Sequence, residues 1–424
     1  MISGFTRPAF RRLKAAAVAM LGLPAVLLAA PQPVAAAAAT PDCAWGVFAS
    51  ADTLNVYYPD TAAAYWVQPY TVADDLTIKL SGTYPDSRYM SFNVYKEGGG
   101  SFSVNGVGSS LPDHLVLPDA GSTNPWREPA EPGGRYTVTV RPDVAPGQAN
   151  VLPLAPAGTP AGSKGYIVMR VYLPAGGDFS AVELPSIVYE RGGVAQPVPP
   201  CEGADTAAAD RMVTELGLDQ VAAREPSTGR FARPSLDEVG VFPNDDAAYL
   251  MAAVQPPAGD RVVVVRGKAP SHTPGSHPKP WPAEGTQARY FSLCSNLPLP
   301  SRPVVVNELP GGGKDYGCRS DDETALDATG RYTYVIGREA QRPAIGRIAG
   351  ATFVPFSLEN PAMPHRVLLR NMVVDAGFAE AVQRVPEDGN PDSAAAVMGD
   401  YYPTAKVCSL SSLAAAGPDG CTAG

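Results

Sequence analysis

The 424-residue chain has only four histidines and few charges, with Asp, Glu, Lys and Arg making up 18% of it. His114 and His365 stand alone, and the proline and glycine between His272 and His277 keep that pair off one helical turn, so no zinc-binding helix motif exists. Gly-x-Ser-x-Gly is absent, which removes the sharp turn that commonly carries a hydrolase nucleophile. Cys-x-x-Cys is absent too, and with it the spacing of a zinc site. No glycine-rich phosphate loop stands between a strand and a helix; "GGGSF" from Gly98 and "PGGGK" from Pro310 read as hairpin turns. The acidic run "SDDET", Ser320 to Thr324, lacks the alternating ligands of a calcium loop and reads as a solvated turn. No cofactor and no metal are expected.

Basic residues are scarce, and four of them sit in the leader. Arg7, Arg11, Arg12 and Lys14 precede the apolar run "AAAVAMLGLPAVLLAA" and the small-residue stretch "PVAAAAATPD". That order is the tripartite pattern of a secretory signal over residues 1–39, too short and too broken by Pro24 for a membrane span. Removing it takes the net charge from −9 to −13. Such a balance excludes nucleic acid and anionic membranes as partners. The chain is therefore expected to be secreted, in the extracellular or cell-envelope space, with no membrane span after cleavage.

Six cysteines follow the leader, an even number that in an exported chain reads as disulfides. Spacing does not fix the pairing; the preferred set is Cys43–Cys201, framing the first half, with Cys294–Cys318 and Cys408–Cys421 as local loops. The 45 prolines and the short apolar segments between turn residues favour strands over long helices.

What the chain does have is an internal echo. "YYPDTAAAYWV" from Tyr57 parallels "VFPNDDAAYLM" from Val241, "RYMSFNVY" from Arg88 parallels "RYFSLCSN" from Arg289, and "RYTVTV" from Arg135 parallels "RYTYVI" from Arg331. Arg170 and Arg370 then occupy matching strands, each expected to pair with a carboxylate at the domain edge. Ordered landmarks at nearly constant spacing mean two copies of one domain. The extra residues in the second copy fall after Gly267, which aligns with Gly82, and their proline content makes them a long surface loop.

The strands alternate, with Met90, Phe92 and Val94 on one face and Tyr89, Ser91, Asn93 and Tyr95 on the other. The expected fold is mainly β: two tandem antiparallel β-sandwich-like domains with a few short helices. The first domain covers 40–201 and the second 236–424. A helical linker, 202–235, joins them, with Met212, Leu216, Leu218 and Val221 at helical period. A helix is also expected for "AAYLMAAV", capped by Asp245 or Asp246, and a short one at "FAEAVQRV".

At these residues the chain resembles the bacterial domain-of-unknown-function families 1214 and 1254. Tyr89, Ser91 and Tyr95, the turn Asn150, Leu152 and Pro153, and the closing Arg170, Tyr172 and Pro174 resemble the first; Asn244, Asp246 and Tyr249 resemble the entry of the second, with Ala247 in place of its threonine. The resemblance implies a β-rich sandwich-like fold and brings no settled activity.

Two surfaces remain as candidate sites. The polar aromatic strand face, Tyr89, Asn93 and Tyr95 with Tyr290 and Ser292, either lines a shallow groove suited to sugars or packs between the copies. The second is a pocket of Asp245, Asp246, Tyr249 and Arg289. The first points to a non-catalytic binding or envelope-associated protein for a polar ligand such as a cell-wall polysaccharide. The second points to a secreted hydrolase or lyase with a carboxylate and tyrosine site between the copies. If neither forms, a rigid extracellular scaffold is left.

Overall fold

The computed structural model describes residues 43–203, 205–217, 229–234 and 242–421. The expected signal peptide and the linker positions Leu218 and Val221 lie outside the described residues.

Alternating hydrophobicity builds the first half from twelve strands. They are β1 (Val47–Ala49), β2 (Ala63–Thr71), β3 (Thr77–Thr83), β4 (Ser87–Lys96), the small hairpin β5 (Ser103–Val104) and β6 (Val107–Gly108), and β7 (Ser110–Pro112). Then come β8 (Arg135–Arg141), β9 (Val151–Pro153), β10 (Lys164–Pro174), β11 (Ser186–Arg191) and β12 (Val194–Val198). Two five-stranded sheets result, ordered β1-β2-β10-β4-β7 and β12-β11-β3-β8-β9. Met90, Phe92 and Val94 of β4 pack on Ile78, Leu80, Val138 and Val140 of the other sheet, which is a sandwich core.

The second half repeats this. Its strands are β13 (Ala247–Val254), β14 (Arg261–Lys268), β15 (Ala288–Asn296), the hairpin β16 (Val306–Glu308) and β17 (Lys314–Tyr316), and β18 (Cys318–Ser320). β19 (Arg331–Gly337), β20 (Ala351–Pro355), β21 (His365–Val374) and β22 (Thr404–Ser409) complete it. The sheets run β13-β21-β15-β18 and β20-β19-β14-β22. Order β2-β10-β4-β7 thus recurs as β13-β21-β15-β18, and β11-β3-β8-β9 as β22-β14-β19-β20. Even the parallel pairs match: β8 with β9, and β19 with β20.

The aligned glycines have a packing cause. Gly82 lies opposite Tyr136 and Gly267 opposite Tyr332, and a Cβ at Gly267 would stand 2.3 Å from the Tyr332 hydroxyl oxygen. Each glycine leaves room for a tyrosine ring laid across it.

Two expectations need correction. "AAYLMAAV" is strand β13, not a helix, because Ala248, Leu250, Ala252 and Val254 all face the second core at period two. "FAEAVQRV" contributes only one 3-10 turn, Val382–Arg384. In the linker, the helix Thr206–Glu215 starts at Asp205, whose carboxylate accepts from the Ala208 amide at 2.9 Å, and it buries Met212. The disulfides are Cys43–Cys201, Cys294–Cys318 and Cys408–Cys421. Among the described residues no helix is long and apolar enough to cross a membrane.

Candidate functional site: the seam and the edge groove

Alternation along β4 and β15 leaves each inner sheet with a second, polar face, and those two faces meet. Tyr89, Asn93, Tyr95, Tyr290 and Ser292 are at most 1% exposed. They form no surface groove; they line the seam between the sandwiches. The Tyr89 hydroxyl donates to Asp246 at 2.6 Å, Tyr95 to the Pro243 carbonyl at 2.5 Å, and Tyr290 and Ser292 to Asp60 at 2.8 and 2.7 Å. Tyr89, Tyr172 and Tyr290 stack edge to face across the boundary. Burying these rings without their hydroxyl partners would cost more than exposing them, so the partners on the opposite copy decide the face's fate.

The seam has pseudo-two-fold logic. Arg88 of β4 reaches the second copy's Asp321 at 2.5 Å and also binds Asp322, while Arg289 of β15 reaches the first copy's Asp113 at 2.5 Å. Each of these aspartates also accepts the backbone amide of its own copy's strand: Met90 to Asp113 at 2.8 Å, Phe291 to Asp321 at 3.3 Å. Within the run "SDDET" Asp321 is therefore a buried clamp, while Asp322 and Glu323 remain exposed. Burial pushes the Asp321 carboxyl up to about 6 against the pull of Arg88. At Asp113 burial is outweighed by Arg289 and His114, and the carboxyl is held below its usual range. The proline-rich insertion crosses the seam as well. Gly275 accepts from Arg88 at 2.5 Å, Trp281 donates its amide to the Trp126 carbonyl at 2.9 Å, and its ring lies under Arg289. His277 contacts Asp86 at 2.8 Å whereas His272 packs on Phe291, so the two histidines have different partners.

Asp245, Asp246, Tyr249 and Arg289 do not converge. Arg289 is committed to Asp113, Asp246 to Tyr89, and Tyr249 lies against Arg370. Burial raises the carboxyl of Asp246 and that of Asp245, the latter opposed by Arg170. Asp245 and Tyr249 line a small pocket with Arg233 and Glu387, without Asp246 or Arg289. The four residues therefore do not share one pocket.

The matching arginines differ from expectation. Arg370 pairs with Asp60, which is contributed by the other copy and fully buried, not at a domain edge. Arg170 pairs with no carboxylate among the described residues: it donates to the Asn93 side-chain oxygen at 2.5 Å and the Phe242 carbonyl at 2.6 Å. Between them runs a cleft of about 80 Å³ lined by Tyr57, Tyr65, Tyr172, Phe242, Asn244 and the two arginines. The signal that finds Asp60 was present in the aligned "YYPD" and "VFPN", but only as a residue without evident work.

A larger groove, about 800 Å³, opens at the edge of the first sandwich between β1 and the connector 177–186. Phe48 and Trp66 form its floor with ring centroids 5.3 Å apart, Phe179 forms one wall, and Asp52, Asp178 and Ser180 lie along its rim. In the second sandwich Val382, Val385, Ala394 and Met398 of the longer connector belong to the core cluster that also holds Ala248 and Leu250 of β13. Asp178 accepts from the Ser180 hydroxyl and amide, which hold its carboxyl below the usual range.

No family model matches the chain, and no curated protein matches it in sequence. Among solved structures it is similar to an uncharacterized protein from Burkholderia cenocepacia, at 14% identity and TM-score 0.50, over 87% of this chain and 83% of that one. The VPA0106 protein from Vibrio parahaemolyticus aligns at 12% identity and TM-score 0.38 over 82% and 89%. The Burkholderia likeness supports the mainly β, sandwich-like fold of this chain.

Proposed function

We propose that this is an exported, non-catalytic binding protein for a polar ligand such as a polysaccharide, related to domain-of-unknown-function families 1214 and 1254, and that the ligand lies in the edge groove of the first sandwich. The observation that carries the reading is the groove's make-up: the partly exposed rings of Phe48 and Phe179, backed by the buried Trp66, lie beside the Asp178 carboxylate and the Ser180 hydroxyl. Sugar rings present apolar faces that stack on such rings and hydroxyls that hydrogen-bond such groups. The volume falls in the range of small-ligand pockets. Three disulfides favour the oxidising space outside the cytoplasm that the leader implies. Within this groove Asp178 is held below its usual range by Ser180, whereas a general acid for glycoside cleavage needs a raised one, so binding is the reading taken for the groove.

The experiment is retention of the purified protein on cell-wall and polysaccharide fractions, with Asp178→Ala as an exposed variant and Phe179→Ala, which also borders the core, checked for an unchanged unfolding midpoint. Retention reduced at least tenfold in Phe179→Ala supports the groove; undiminished retention in both variants rejects it.

A further inference from the structure

The two copies place an arginine in the same setting and then treat its charge differently. Arg370 lies opposite Tyr249 and Ser292 in the sheet register, as Arg170 lies opposite Tyr65 and Ser91. Each donates to a carbonyl of the other copy, Arg370 to Tyr58 at 3.3 Å and Arg170 to Phe242 at 2.6 Å. Tyr58 and Phe242 both hold left-handed backbone, φ 55° and 58°, which neither side chain favours. That strained geometry turns each carbonyl toward a guanidinium.

Two residues further on, the symmetry breaks. Asp60 accepts the Ala62 amide at 3.0 Å, and at the matching position Asn244 accepts the Asp246 amide at 3.1 Å. The carboxylate neutralises Arg370; the amide leaves Arg170 with its charge. Arg170 is only 2% exposed, stacks over Tyr65 and Tyr95 at 5.7 and 5.6 Å, and makes no ion pair with its exposed neighbour Asp245. Its two bonds occupy two of a guanidinium's five N–H donors. A buried guanidinium without a counter-charge is costly, and a bidentate carboxylate is the partner that suits it best.

We propose that the seam cleft binds a carboxylate group, which supplies to Arg170 the negative charge that Asp60 supplies to Arg370. At about 80 Å³ the cleft has room for a group of a few heavy atoms. The ligand is thus either a small free organic acid or the carboxylate of an acidic sugar whose remainder lies outside. Tyr57, Tyr65 and Phe242 are half-buried and provide its rim. The proposal is independent of the edge groove, since none of these residues lines it.

The test is calorimetric titration of the purified protein with acetate, D-glucuronate, tri-galacturonate and, as a neutral control, glucose. Saturable binding of at least one carboxylate, without binding of glucose at this site, is expected. Asn244→Asp completes the pseudo-symmetric ion pair from within the chain and is expected to weaken carboxylate binding at least tenfold while raising the unfolding midpoint. Arg170→Gln is expected to abolish binding; if it does not fold, Asn244→Asp carries the test alone. Binding of acetate or D-glucuronate assigns a free acid, and binding of tri-galacturonate alone assigns a polysaccharide. No binding of any carboxylate, or equal binding by wild type and Asn244→Asp, overturns the proposal.

Discussion

Arg88 and Asp321 stand 2.5 Å apart across the seam, both side chains at most 1% exposed, and the pair is answered by Arg289 and Asp113 in the reverse sense. Removing one partner leaves a buried charge unpaired. Arg88→Ala is expected to cost on the order of 3–5 kcal/mol, and Arg88→Met with Asp321→Leu less than the single variant. Urea unfolding of the two proteins compares them directly; a double variant no more stable than Arg88→Ala would contradict the assignment.

Tyr89, Tyr95 and Tyr290 hold the halves together. Tyr95 is fully buried against Phe242, ring centroids 4.9 Å apart, and its hydroxyl is bonded to Pro243. Tyr95→Ala is expected to destabilise the fold by about 3–5 kcal/mol, as for other large-to-small core changes. A shifted denaturation midpoint is the readout, and an unshifted one would return Tyr95 to the surface.

The glycine under Tyr332 leaves no room for a Cβ unless the ring shifts. Gly267→Ala brings a Cβ within 2.3 Å of the tyrosine oxygen and is expected to cost roughly 1–3 kcal/mol by overpacking. The matching contact at Gly82 is 2.9 Å, so Gly82→Ala is expected to cost less. Thermal melts of the two variants side by side test the order.

His365 provides an acid-side weakness. It is fully buried, its Nδ1 lies 2.7 Å from the Ser295 hydroxyl, its Nε2 accepts from the Ser357 amide, and burial pushes it down from 6.5 to about 4. The folded state keeps the ring neutral while the unfolded chain protonates below pH 6.5. Stability is therefore whole above that pH and falls as the pH drops toward 4, by about 3 kcal/mol in all. His365→Gln is expected to flatten this part of the stability curve between pH 7 and 4. An unchanged slope would assign the loss to other groups.

Much of the architecture was legible because it rests on local periodicity. Alternation in "RYMSFNVY" gives the strand and its core face, and ordered landmarks give the repeat. The Ala-rich stretch of β13 misled because alanine favours helices; its partner β21 and a core at period two outweighed that preference. The tyrosine face left two readings open, and the structure chose packing between the copies over a ligand groove. A polar, aromatic strand face looks the same in sequence whether water, a ligand or another sheet covers it.

The amino-acid order thus determined by itself the strands, the duplication and the even count of cysteines, since each follows from neighbours along the chain. Tertiary structure alone decided what those strands face. Asp60 and Arg370, far apart in sequence, meet only because two sandwiches pack polar face to polar face. The substitution of Asn244 for that aspartate acquires meaning only there. Burial turns a one-atom difference between carboxylate and amide into the presence or absence of a counter-charge.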